Sequence, residues 1–99
     1  MSTKKEDPNF KLPSDNTLKH VAKLAIVEDK PVMLDYWTNS LEKKCLIGVK
    51  QNNEKLLVKS EDEYTSNIAK LYKSNSEFII ITENSIYVVS ADIPTKKIS

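Results

Sequence analysis

The stretch Phe78-Ile79-Ile80-Ile81-Thr82, followed after Glu83-Asn84-Ser85 by Ile86-Tyr87-Val88-Val89, decides the fold class of this chain. Both runs are dense in β-branched and aromatic residues, which fit the pleated surface of a sheet. The polar break between them carries an asparagine suited to a hairpin turn. Two adjacent antiparallel strands are therefore expected. A run of three isoleucines without charge or proline also pairs readily with foreign strands when left open, so the folded molecule must cover it or give it to a partner.

Upstream of this hairpin the pattern again alternates. From Pro31, Val32, Leu34 and Tyr36 alternate with Met33, Asp35 and Trp37, which predicts a strand with Tyr36 and Trp37 on opposite faces. Thr38-Asn39-Ser40 then turns the chain into a second strand over 44–50, with Cys45, Ile47 and Val49 on one side. A tight turn at Gln51-Asn52-Asn53-Glu54 leads into Leu56-Leu57-Val58. Gly48, the one glycine, falls mid-strand, where glycine marks a bend, a bulge or a close backbone contact. Ser60 to Ser66 reads as an acidic loop. Residues 67–74 fit either a helical face (Tyr64, Ile68, Leu71, Tyr72) or a further strand, and the strand is preferred because the isoleucine hairpin needs a neighbour.

Before the sheet, Ser14, Asp15 and Thr17 offer helix-capping oxygens, and Leu18, Val21, Ala22, Ala25 and Ile26 recur at helical spacing until Pro31. One helix over 15–28 is expected, its apolar stripe on the sheet and Lys19 and Lys23 in solvent. The competing reading makes a strand of Leu24-Ala25-Ile26-Val27 paired with 32–37, but the alanine and lysine content favours the helix. Residues 1–13, broken by Pro8 and Pro13 and carrying Lys4, Lys5, Glu6 and Asp7 around a lone Phe10, read as a flexible arm. Residues 93–99, with Pro94, Lys96 and Lys97, read as a basic tail, leaving one domain over 14–92. The fold class is therefore α+β: one N-terminal helix packed on a curled antiparallel meander of about five to six strands, a small SH3-like or Sm-like barrel.

Charge and composition exclude more than they specify. The chain has 15 Lys+Arg against 14 Asp+Glu, a formal net charge of +1. A protein built to ride on nucleic-acid phosphates shows a clear basic excess. All the basic residues are lysines, so the planar fork that reads phosphate or guanine bidentately is absent. Cys45 is single, which rules out an intrachain disulfide and a cysteine metal cluster and suits a reducing compartment. No signal-peptide-like apolar stretch opens the chain and nowhere do about 18 apolar residues run together, so a soluble cytoplasmic protein without membrane partners is expected.

No catalytic motif emerges. His20, the one histidine, has no nucleophile motif with it and reads as a solvated or half-packed side chain. Cys45 on an apolar face reads as a small buried hydrophobe. Asp35, Glu61, Asp62 and Glu63 lack the calcium-loop spacing and its glycine, and one glycine leaves no phosphate loop, so no enzyme, metal or cofactor is expected. Ser60 before Glu61-Asp62-Glu63 has the form of an acidic-directed phosphoacceptor, and equally of a polar turn at a sheet edge.

The binding candidates are Tyr36, Trp37 and Tyr87. A surface Trp or Tyr is what protein interfaces enrich and what single-strand platforms stack bases on, whereas in the core the same rings simply fill space. Tyr87 is expected to face outward, opposite Ile86 and Val88, on an exposed edge strand. The expected function is non-catalytic protein association, with a second copy as the first partner. The alternative is weak nucleic-acid binding through Trp37 and surface lysines.

Lys55-Leu56-Leu57-Val58-Lys59-Ser60-Glu61-Asp62-Glu63-Tyr64-Thr65-Ser66 and Thr82-Glu83-Asn84-Ser85-Ile86-Tyr87-Val88-Val89-Ser90, in an arginine-free chain rich in lysine and asparagine, resemble small uncharacterised proteins of large cytoplasmic DNA viruses. The resemblance spans most of residues 30–95. It implies a viral protein of the virion or the host cytoplasm, and no particular activity or site residue. A helix followed by a bent meander is also the order of the Sm-like barrel, but the Asp and Asn signature of its RNA-binding loops is missing around Gln51-Asn52-Asn53.

Overall fold

In the computed structural model, which describes residues 11–98, the two apolar runs lie side by side at the centre of one sheet. The elements are α1 (Asp15–Glu28), β1 (Val32–Met33), α2 (Trp37–Leu41), β2 (Leu46–Val49), β3 (Lys55–Val58), β4 (Tyr64–Ser74), β5 (Glu77–Thr82), β6 (Ile86–Ser90) and β7 (Thr95–Lys97). The seven strands are ordered β1-β6-β5-β4-β3-β2-β7. Residues 1–10 of the expected arm, Phe10 included, lie outside the described residues.

The apolar run does not alternate with polar residues because both of its faces are buried. Ile79, Ile81, Ile86 and Val88 meet Val21 of α1 and Trp37 of α2, with Leu24, Ala25, Val32 and Leu41 packed around them. Ile80 and Val89 point the other way and join Tyr36, Cys45, Ile47, Leu57 and Ile93, with Ile68, Phe78 and Tyr87 alongside. Ile80, Ile81, Ile86, Val88 and Val89 are wholly shielded from solvent, each contributing about 1.5–3 kcal/mol of burial. The hairpin closes as expected at residues 83–85, where the Thr82 hydroxyl accepts from the amides of Asn84 and Ser85 at 3.3 and 3.1 Å.

The helix has the expected bounds. Ser14 caps it, its hydroxyl accepting from the Thr17 amide at 3.4 Å, and Asp29 in the left-handed region (φ 56) ends it. The buried carboxylate of Glu77 fixes it to the sheet, accepting from the Thr17 hydroxyl at 2.6 Å and the Ser14 hydroxyl at 3.0 Å. The positive end of the helix dipole favours an acid there. The face that packs differs from the expected stripe. Thr17, Val21, Leu24 and Ala25 turn to the sheet, while Ile26 is 81% exposed and Val27 68% exposed.

Three expectations about the sheet are corrected. The sheet is mixed rather than an antiparallel meander, because β1 runs parallel to β6 and β7 parallel to β2. It does not close into a barrel, since β1 and β7 stand at opposite ends of the strand order. The strand expected over 32–37 stops at Met33, and the expected turn at 38–40 is helical. The physical reason is that α2 sits against β6 and passes Tyr36 to one core cluster and Trp37 to the other. Ser40, fully buried, accepts from the Ser90 amide at 2.9 Å and donates to the Trp37 carbonyl at 2.6 Å, which pins α2 to the end of the hairpin.

Residues 67–74 are strand, within a β4 that starts three residues earlier inside the expected acidic loop. β4 joins the two halves of the sheet: its first part pairs with β3 and its second with β5, with register shifts in both ladders. Such irregularities bend and twist a strand, and here they let β2 and β3 bring Ile47 and Leu57 into one cluster with Ile80 of β5. Asn53 (φ 69) and Asn75 (φ 57) take the left-handed positions of the flanking turns, a conformation asparagine tolerates. The expected basic tail contributes β7 instead.

Candidate functional site

Of the three aromatic residues expected at a binding surface, the fold brings two together and separates the third. Tyr36 is 5% exposed and stacks edge-on against the half-buried Tyr87, ring centroids 5.3 Å apart at 78°. The Lys59 ammonium lies 4.8 Å from the Tyr36 ring centroid, a cation–π contact. Trp37 is buried on the far side of the sheet with its indole N–H donating to the Lys11 carbonyl at 2.7 Å. Tyr87 does point away from Ile86 and Val88, but onto Tyr36 rather than into solvent. Nor is β6 an open edge: β1 pairs with its start and α2 packs against it.

This aromatic cluster is electrostatically quiet. Burial, reinforced by Tyr87, Asp35, Glu63 and Cys45, pushes the Tyr36 phenol up to about 12. Burial and then Asp35 also raise Tyr87, which a hydrogen bond with Ser85 partly offsets. The Cys45 thiol, 2% exposed, is pushed up to about 11 by burial, although Lys59 pulls it down. A thiol held protonated in an apolar wall is a poor nucleophile. His20 is exposed, beside a shallow groove of about 370 Å³ shared with Lys23 and Tyr72. Ser60 is exposed too, and its hydroxyl accepts from the amides of Asp62 and Glu63, which makes it the organiser of the β3–β4 turn. Among the described residues no group of three or more His, Cys, Asp or Glu side chains is placed to hold a metal ion, and no helix is long and apolar enough to cross a membrane.

A large concave surface lies elsewhere, on the outer face of the β2–β3–β4 half. Register explains it. Leu46 pairs with Val58 and Gly48 with Leu56, so these four share one face, while Ile47 and Leu57 take the other. Tyr64 pairs with Val58 and Asn67 with Leu56, extending the outer face onto β4. The result is an open cleft of about 1140 Å³ whose apolar lining includes Leu46, Leu56, Val58 and Ile98. Lys44, Lys50 and Lys59 border it together with Glu61 and Glu83, and Tyr64, 59% exposed, stands at its side.

Gly48 shapes one wall. A Cβ on it would come within 2.7 Å of Ile98 Cδ1 and 3.2 Å of Val58 Cγ2, so any larger residue would make the Ile98 side chain shift from its place over β2. The Ile98 amide donates to the Val49 carbonyl at 3.0 Å and continues the β2–β7 pairing. The signal in the sequence was the unexplained mid-strand glycine. The cleft itself could not be read, because Leu56-Leu57-Val58 does not say which of its residues face inward until the register with β2 is known. Comparison with protein-family models, with curated proteins and with solved structures gives no match.

Proposed function

We propose that this is a non-catalytic protein-binding domain that docks an apolar segment with an acidic flank in the cleft of the β2–β3–β4 half. The observation that carries the reading is the cleft: an aliphatic, water-accessible concavity on the face of a sheet whose other face already holds a complete core. A concave, mostly apolar surface with a few polar groups at its border is the default binding-site reading of a small domain. The aliphatic lining asks for aliphatic side chains, and Lys50 at the border is left to meet an acidic flank, whereas Lys44 and Lys59 are paired with Glu42 and Glu63. Tyr64 supplies a rigid aromatic at the side, the residue type that interface hot spots enrich.

A second reading has one observation in its favour. Tyr64, Lys44 and Lys50 border one cleft, the kind of arrangement on which single-stranded nucleic acid stacks and tracks. Protein is favoured because the lining is aliphatic, the border includes Glu61 and Glu83, and Trp37, the strongest stacking residue, is inside the fold. Calorimetric titration separates the two. A hexapeptide of four aliphatic residues followed by two acids is expected to bind saturably, and to lose binding to the Tyr64→Glu/Ile98→Glu variant. An oligothymidylate that binds where the peptide does not overturns the protein reading.

A further inference from the structure

We infer that the free edge of β7 takes an extended acidic peptide as one further strand of the sheet, with two adjacent acids opposite Lys96 and Lys97. This surface is separate from the cleft, and the inference does not rest on the cleft reading. β7 (Thr95–Lys97) ends the strand order, and among the described residues no strand lies beyond it. Its ladder with β2 settles which backbone groups are in use. The Ile47 amide donates to the Pro94 carbonyl at 2.9 Å, and the Ile98 amide donates to the Val49 carbonyl at 3.0 Å. In a parallel pair alternate residues of a strand bond to the neighbour, so Pro94, Lys96 and Ile98 face β2 while the N–H and C=O groups of Thr95 and Lys97 face away from it. Such a row of outward groups is a template for another strand, and main-chain bonds of this kind supply the affinity of strand-addition complexes.

Charge names the occupant. Lys96 and Lys97 enter none of the ion pairs among the described residues, which join Lys44 to Glu42, Lys59 to Glu63 and Lys70 to Glu28. Both lysines are exposed. They project to opposite faces of the sheet, Lys96 with Gly48 and Lys97 with Val49, because successive strand residues alternate. An incoming strand therefore needs two acids in succession, one for each face, to meet both ammonium groups. Two copies of this edge would set lysine against lysine, the device by which edge strands avoid one another, whereas an acidic strand turns the same charges into attraction. The opposite edge, β1, is two residues long and carries no charge, so it offers no such selection.

Residue-resolved amide exchange on the full chain tests this, with the blocked hexapeptide Thr-Val-Glu-Glu-Val-Thr as the probe. In the free protein the Lys96 and Ile98 amides should exchange slowly and those of Thr95 and Lys97 fast. Saturating peptide should slow Thr95 and Lys97 as well. The glutamine counterpart, Thr-Val-Gln-Gln-Val-Thr, should bind roughly tenfold more weakly, since it lacks two cross-strand charge pairs. Thr95→Pro keeps both lysines and the bonds to β2 but removes an outward N–H, so it should weaken binding. Lys96→Glu/Lys97→Glu should abolish it. All three positions are exposed, and circular dichroism checks the fold of both variants. Absence of saturable binding, Thr95 and Lys97 amides that stay fast at saturation, equal affinity for the glutamine peptide, or folded variants that bind like the wild type overturn the inference. Protection of Thr95 and Lys97 that appears without peptide and grows with protein concentration means that a second copy covers the edge, and overturns it too.

Discussion

Tyr36 and Trp37 are neighbours in sequence that end in different cores, and each side chain has its own consequence. The folded chain holds the Tyr36 proton up to about pH 12, whereas an unfolded tyrosine gives it up near its ordinary value of 10.0. The folded state therefore binds more protons across that interval. The stability this residue contributes is full below pH 10 and is lost as the pH rises towards 12. Replacing Tyr36 with Phe should remove the last step of the tyrosinate absorbance titration and flatten the fall in stability over the same interval. Cys45 makes a second expectation at this scale: its thiol should resist alkylation in the native protein and react at once in denaturant, and rapid native labelling would mean that the wall around it opens. Tyr87→Lys, placed against Tyr36 rather than in solvent, should destabilise the fold, the ring pair alone accounting for about 0.5–1.5 kcal/mol.

At the scale of elements, the joint between α1 and the hairpin depends on one acid. Thr17→Val leaves the buried Glu77 carboxylate without its 2.6 Å donor, and losing a hydrogen bond to a charged group costs about 1.5–3 kcal/mol. Denaturant unfolding should register that loss, and an unchanged midpoint would mean the Ser14 hydroxyl alone suffices. Gly48→Ala should instead act on the chain end: the added methyl displaces Ile98, so amide exchange at Ile98 is expected to speed up with little change in the melting of the hairpin. The elements differ in how legible they were. α1, the hairpin β5–β6 and the turn at Asn53 follow from caps, β-branched runs and turn residues, all local signals. β1, α2 and β7 are short and exist through tertiary partners: the Pro31 carbonyl accepting from the Ile86 amide, Ser40 against Ser90, and β7 along β2. Period two over 32–37 was a true alternation of apolar side chains. It reported that Tyr36 and Trp37 part company, which a helical turn at the end of the hairpin achieves as well as a strand does.

Among the described residues, exposed apolar side chains gather at the cleft and at the end of α1, with Leu12, Met33, Leu34, Leu71 and Tyr72 exposed elsewhere. Sequence alone exposes neither, since the cleft depends on long-range register and Ile26 sits within the helix's apolar stripe, where Thr17, a polar residue, packs instead. The isoleucine hairpin that looked hazardous is the best protected part of the fold, flanked by β4 on one side and by β1 and α2 on the other. The proposed association is therefore assigned to the outer β2–β3–β4 face and not to β6. Residue-resolved amide shifts on adding the aliphatic, acid-flanked hexapeptide test that assignment most directly. Saturable changes confined to Leu46, Val58, Tyr64, Ile98 and their neighbours are expected. Shifts centred on Tyr36 and Tyr87, or none at all, would contradict it.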